Sequence, residues 1–116
     1  MGKPVVYFDI GCRDHEATLG FYRELFDWQT SPVNAFSTRI VGEDGGIDGA
    51  VTALGHEPRD YVMVYVAVED LEGTLAKATE LGGEVLLGPL PAPDGRRFAW
   101  LKDVEGTRFG VLGPGA

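Results

Sequence analysis

The sequence is poor in the residues from which many sites are built. A single cysteine, Cys12, in 116 residues excludes an internal disulfide and any cysteine-cluster zinc site. Only two histidines are present, His15 and His56. Ten basic residues against eighteen acidic ones give a net charge of −8. Nucleic-acid backbones need clustered cations, so no nucleic-acid partner is expected. No apolar run approaches the roughly 18 residues of a membrane span, so no membrane partner is expected either. MGKPVV leads directly into a strand without the tripartite pattern of a secretory signal. The expectation is one cytoplasmic domain, whose acidic balance favours solubility and cationic ligands.

What is present is an ordinary globular composition, 44% hydrophobic and 24% charged, at a length suited to one domain with a real core. The chain also repeats itself. Sliding it by 56 positions lays VVYFDIGCRDHEATLGFYREL over YVMVYVAVEDLEGTLAKATEL. Val6 meets Val62, Asp14 meets Asp70, Glu16 meets Glu72, Thr18 meets Thr74, Leu19 meets Leu75, Glu24 meets Glu80 and Leu25 meets Leu81. Shared composition would give about one or two such identities, so two copies of one supersecondary unit are expected.

Each copy opens with period-2 alternation, Val6/Phe8/Ile10 and Val62/Val64/Val66/Val68, the mark of a strand with one buried face. Cys12 shares the first of those faces and reads as a small buried apolar residue rather than a nucleophile. A helix follows in both. Asp14 is the expected cap of the first, with Ala17, Phe21 and Leu25 joined by Leu19, Tyr22 and Phe26 as its apolar face. Asp70 caps the second, Leu71, Leu75, Ala78 and Leu81 form its stripe, and Gly82-Gly83 ends it. Short β-like runs come next: Trp28 to Thr30, Phe36 to Val41 and Ile47 to Leu54, then Glu84 to Leu87, Arg97 to Leu101 and Thr107 to Leu112. EDGG, PAPDG and DVEG are turn connectors, and GHEPRD (55–60) is the expected junction.

The unit is therefore βαβββ, twice, an α+β fold. Two such units can form a curved, incomplete barrel with helices on the convex side. Because side chains alternate across a strand, Val6, Phe8, Ile10, Val62, Val64 and Val66 should face the helices. Tyr7, Asp9, Met63 and Tyr65 should then line the concave side.

With FYRELFDW after the first strand and ELGGEV followed by KDVEGTRFGV, this doubled unit resembles the vicinal oxygen chelate superfamily. That superfamily includes glyoxalase I, extradiol dioxygenases, fosfomycin-resistance enzymes and bleomycin-binding proteins. Most specifically the chain is similar to the single-module, glyoxalase-like, bleomycin resistance protein-like branch, whose members pair as homodimers. The resemblance implies one domain over 1–116, with repeats at about 4–54 and 61–113. It also implies a divalent-ion site with ligands on the first and last strands of each unit. Those positions fall on Tyr7, Met63, Gly110 and near Gly49, none an imidazole or a carboxylate. An ion needs three or four O or N donors at about 2.0–2.4 Å, so no metal and no cofactor are expected. His15, in the first helical turn, and His56, in the junction, are expected to face solvent.

Without an ion, the cleft would offer Tyr7, Met63 and Tyr65, joined by Trp28, Phe36 and Trp100, a lining that suits a flat apolar or aromatic ligand. Asp9 would orient it. Desolvated among aromatics, Asp9 would be a candidate acid or base; beside Arg39 or Arg97 it would stay ionised. Arg96-Arg97 could also hold an anion at the cleft mouth. The leading expectation is metal-independent small-molecule binding, sequestering an aromatic or cationic ligand, with Tyr7, Asp9, Trp28, Phe36, Arg39, Met63, Tyr65 and Trp100 as binding residues. The first alternative is a metal-independent lyase or isomerase of detoxification or secondary metabolism, with Asp9 and Tyr7 as catalytic groups. The second is a metalloenzyme with rearranged ligands drawn from Asp9, Asp48 and His56.

Overall fold

The computed structural model describes residues 2–53 and 60–115. Most of the expected junction, including His56, and the expected strand end at Leu54 lie outside the described residues. In chain order the elements are β1 (Val5–Gly11), α1 (His15–Phe26), β2 (Thr30–Pro32), β3 (Ser37–Ile40), β4 (Asp48–Thr52), β5 (Tyr61–Ala67), α2 (Leu71–Glu80), β6 (Glu84–Pro91), β7 (Arg97–Lys102) and β8 (Arg108–Gly113). This is the α+β pattern βαβββ, stated twice. It falls into two compact units, Tyr7–Met63 and Met1–Val6 with Val64–Ala116, here the first and second unit.

In the first unit the strand order is β2-β3-β4-β1, with β1 parallel to β4 and the other pairs antiparallel. Asp14 caps α1 by accepting from the Ala17 amide at 3.0 Å, and Asp27, left-handed at φ 57°, closes it with its N–H on the Arg23 carbonyl. Leu19 and Tyr22 of α1 pack on Ile10, Cys12, Ile40 and Val51, together with Phe8 and Trp28. Cys12 is buried, as its face predicts. Tyr22 and Trp28 stack at 5.5 Å and 6°. A Cβ on Gly49 would lie 2.4 Å from the Phe8 ring, so a bare backbone there lets Phe8 settle on the sheet.

Two expectations for this unit are corrected. Phe21 is 61% and Leu25 58% exposed, and Ala17 is exposed with them. The sheet-facing row runs His15, Leu19, Tyr22, and a two-residue offset turns about 200° around a helix; the Ala17 row therefore points away. His15, expected in solvent, has Nε2 3.0 Å from the Thr38 hydroxyl. Thr38 shares the α1-facing side of β3 with Ile40, which brings the two together.

In the second unit the order is β5-β8-β7-β6, with β5 parallel to β8. Asp70 caps α2 through the Gly73 amide at 3.0 Å, and Gly82 follows the helix at φ 98°. Leu71, Leu75 and Ala78 pack on Ala99, Leu101 and Val111; Leu81, one residue past the helix, is exposed. The expected burial of Val62 and Val64 is also corrected: they are 71% and 43% exposed, while Met63 and Tyr65 are buried. Within the second unit the α2-packed cluster includes Val68 but not Val64.

The cap carries a measurable share of the first unit's stability. Asp14→Ala is expected to lower unfolding free energy by about 1 kcal/mol in urea titration; an unchanged midpoint would show that the cap contributes nothing.

Candidate functional site

Residues in register on neighbouring strands share a face of the sheet. In the first unit the row containing Asp9 runs through Ala50, Arg39 and Ser31. Tyr7 is opposite Asp48, and Gly11 is opposite Thr52, itself opposite Ser37. All lie on the face turned away from α1. It carries Asp9, Arg39, Asp48, Thr52 and Ser37, whereas the α1 side carries Ile10, Cys12, Ile40 and Val51.

Asp9 is its centre. The residue is 6% exposed, so its carboxyl is almost wholly covered. Its Oδ1 accepts from the Thr52 hydroxyl at 2.9 Å, and its Oδ2 accepts from the Tyr61 hydroxyl at 3.1 Å. Ser37 Oγ lies 3.3 Å from Thr52 Oγ1. A Cβ on Gly11 would be 1.8 Å from the Tyr61 ring. Only glycine leaves room for Tyr61 to lie across β1 and reach Asp9. A buried carboxylate left without donors costs several kcal/mol; here hydroxyl donors compensate it. Among the described residues no buried side-chain polar atom lacks a partner.

Beside this network, Arg39 donates to Asp48 Oδ2 at 2.9 Å, and Asp48 Oδ1 takes the Gly42 amide. The Asp48 hydrogen bond raises the Arg39 guanidinium further above its ordinary value, so Arg39 stays a cation. Of the two arginines considered as partners for Asp9, Arg39 is thus engaged by Asp48. Arg97 is engaged by Glu72 of α2 and donates to the Pro114 carbonyl. Arg96 pairs with Asp94. A shallow cavity of about 390 Å³ opens beside Tyr61, lined by Ile10–Cys12 at the end of β1 and by Thr18 and Tyr22 of α1. Tyr61 thereby belongs to both the cavity and the Asp9 network.

The second unit has the same positions with other chemistry. Tyr65, the repeat counterpart of Asp9, is in register with Gly110 and then Trp100. Trp100 Nε1 donates to the Tyr65 hydroxyl at 2.7 Å, and Phe98 meets Tyr65 edge-on at 6.5 Å. Gly110 has no Cβ where the Tyr65 ring lies. Of the predicted site residues, Tyr7, Asp9 and Arg39 share one face, and Tyr65 and Trp100 form a buried pair in the other unit. Met63 is buried, Trp28 packs on the α1 side against Phe8 and Tyr22, and Phe36 stands half exposed in the turn before β3. Tyr61, Thr52 and Ser37 were missed. The available signal was Gly11, a glycine on the polar side of a strand whose neighbours there are Tyr7 and Asp9.

The register also tests the ion that such a fold implies. The counterpart of Gly110 is Ala50, not Gly49. The four positions thus hold a phenol, a thioether and two residues without donor side chains, which do not fit a divalent ion. Among the described residues no three of His, Cys, Asp and Glu come together. Asp9 and Asp48, the carboxylates of the rearranged set, accept from different partners.

Fold and repeat together define the vicinal oxygen chelate class. The chain belongs to the Glyoxalase-like domain family, whose profile matches residues 5–112. It is similar to the provisionally named glyoxylase CFP32 of Mycobacterium bovis, at 47% identity over 51 residues, 44% of this chain and 20% of that protein; the match thus spans a fifth of that relative's length. A Glyoxylase-like domain-containing protein of Didymella fabae is 27% identical over 89% of this chain and 88% of its own. Among solved structures, a methylmalonyl-CoA epimerase in complex with methylmalonyl-CoA and NH4+ superposes with a TM-score of 0.71 at 17% identity, covering 98% of this chain and 96% of its own. Hypothetical protein BH1468 of Bacillus halodurans C-125 gives 0.71 at 13% identity, covering 100% and 97%. At these identities the two structures establish the fold.

Arg97 holds Glu72 below its ordinary value of 4.5 through their hydrogen bond. A depressed carboxylate stabilises the fold above its unfolded value, and the contribution is lost as pH falls through the folded one. Glu72→Gln is therefore expected to be less stable than the parent at neutral pH and to converge with it as pH drops below 4.5. A stability gap that persists in acid would contradict the pairing.

Proposed function

We propose that this chain binds an aromatic or cationic small molecule on the first unit's polar face, beside Tyr61, without a divalent ion. The observation that carries this reading is the buried Asp9 carboxylate, organised by Thr52 and Tyr61 where the second unit packs Tyr65 against Trp100. Polar groups inside an otherwise apolar fold cost stability. Small-molecule sites are where such groups recur, a few orienting donors and acceptors in a mostly apolar setting. Tyr61 supplies aromatic surface beside Asp9, and the net charge of −8 favours cations. That a solved neighbour of the same fold binds methylmalonyl-CoA supports a small-molecule ligand in general and says nothing of its class here.

The Asp9–Tyr61 contact of 3.1 Å favours a second reading, a metal-independent lyase or isomerase in which a carboxylate and a phenol move a proton. Tyr61→Phe separates the two: it would abolish turnover in the enzyme and leave a pure binder occupied.

The test is a thermal-shift screen of aromatic and cationic small molecules on protein shown by elemental analysis to be free of stoichiometric metal. A ligand at 100 times its dissociation constant adds about 2.7 kcal/mol of stability. Amide NMR shifts on binding are expected at Ser37, Arg39 and Tyr61. Shifts confined to β6 and β7, or binding abolished by a chelator, would contradict the proposal.

A further inference from the structure

We infer that α1 is the surface on which two copies of this chain pair, helix against helix and antiparallel about Gly20.

Three observations on α1 carry it. The first is an apolar row that its own sheet does not use. Leu19 and Tyr22 pack inward, while Phe21 is 61% and Leu25 58% exposed and Ala17 is exposed beside them. Phe21 is held edge-on against Tyr22 at 5.3 Å, so its ring is already positioned and loses little freedom when another surface meets it. The second is a glycine with no packing reason inside the unit. Gly20 sits mid-helix, where glycine costs stability relative to alanine, yet a Cβ there would meet nothing within 4 Å. A shallow hollow of about 460 Å³ opens over it, edged by Arg23, Glu24 and Asp27. Close approach of a helix from outside the chain accounts for a bare position there, since the side chains at a crossing set the distance between helix axes. The third is charge. Arg13, Glu16, Arg23 and Asp27 are all exposed, and among the described residues none of them forms an ion pair.

Turned end for end, the helix matches itself. At ~100° and ~1.5 Å per residue, a dyad beside Gly20 and Phe21 sets Phe21 on the partner's Phe21. Leu25 then lies over the partner's Ala17, large against small. On the other flank Arg23 comes level with the partner's Glu16, and Arg13 with the partner's Asp27, each within about 3 Å along the axis. The dyad makes each pair twice. A uniformly basic partner helix would set like charges against Arg13 and Arg23, so the pattern favours a second copy. The size of the surface fixes the strength. α1 has 12 residues, and two such helices bury less than the roughly 1,200 Å² in total at which standard interfaces begin. The pairing is therefore weak, and the net charge of −8 weakens it further.

Sedimentation of the whole chain over a concentration series tests this. A reversible monomer–dimer equilibrium is expected, with a dissociation constant between about 10 µM and 1 mM. Gly20→Leu separates pairing from folding. In dilute solution it should raise the melting temperature, because leucine is the better helix former, and at high concentration it should leave the chain monomeric. Arg23→Glu and Glu16→Arg alone should each weaken the dimer on the order of tenfold, and the two together should restore it. A parent chain still monomeric at about 1 mM would overturn the inference. So would a dimer that Gly20→Leu and Arg23→Glu leave unchanged, which would lie on another face. A monomeric chain whose α1 amides shift in NMR on addition of a basic amphipathic peptide would also overturn it, giving the face to a different partner.

Discussion

The organisation of the first unit depends on keeping one carboxylate charge under the surface. Asp9 is 6% exposed, and a buried charge is tolerated only where donors replace the water it has lost. Two of those donors come from separate strands, and a third strand stands behind one of them. Thr52 is on β4, Ser37 behind it on β3, and Tyr61 on β5. Each must arrive in register, and Tyr61 arrives only because Gly11 has no side chain in its path. A one-residue slip between β1 and β4 would send Thr52 to the opposite face. The carboxylate thus ties the pairing of distant segments to the chemistry of the face.

The two repeats show how one scaffold carries two surfaces. Their capped helices and α-facing clusters correspond closely, since those positions answer to packing and capping that both units share. The opposite faces have diverged. Asp9, Arg39 and Thr52 in the first unit correspond to Tyr65, Trp100 and Leu112 in the second. Fold family alone would predict a metal ion at such faces, yet the residues offered are Tyr7, Met63, Ala50 and Gly110. Chemistry at this site is set by side chains rather than by the fold.

The sequence showed the repeat, the α+β class and both caps, because each depends on local spacing: Asp14 and Asp70 lie three residues before the amides they bind. It also showed that Asp9 faces away from α1, since parity along a strand is a local property. Coverage was not legible. Alternation put Val62 and Val64 on the helix side, but how far α2 extends over β5 depends on tertiary packing. Phe21 and Leu25 matched a helical stripe equally well, and only the sheet decides which of two rows it meets. Tyr61 was beyond reach for the same reason: its partner, Asp9, lies 52 residues away, and no single-sequence period records cross-strand contacts of that kind.

The direction of the hydroxyl protons around Asp9 is the central claim, and neutron diffraction from deuterated crystals measures it directly. Deuterons on Thr52 Oγ1 and Tyr61 Oη should point at the two Asp9 carboxylate oxygens, with the Ser37 deuteron on Thr52. A deuteron on Asp9 itself, or a Tyr61 deuteron turned away from it, would contradict the claim.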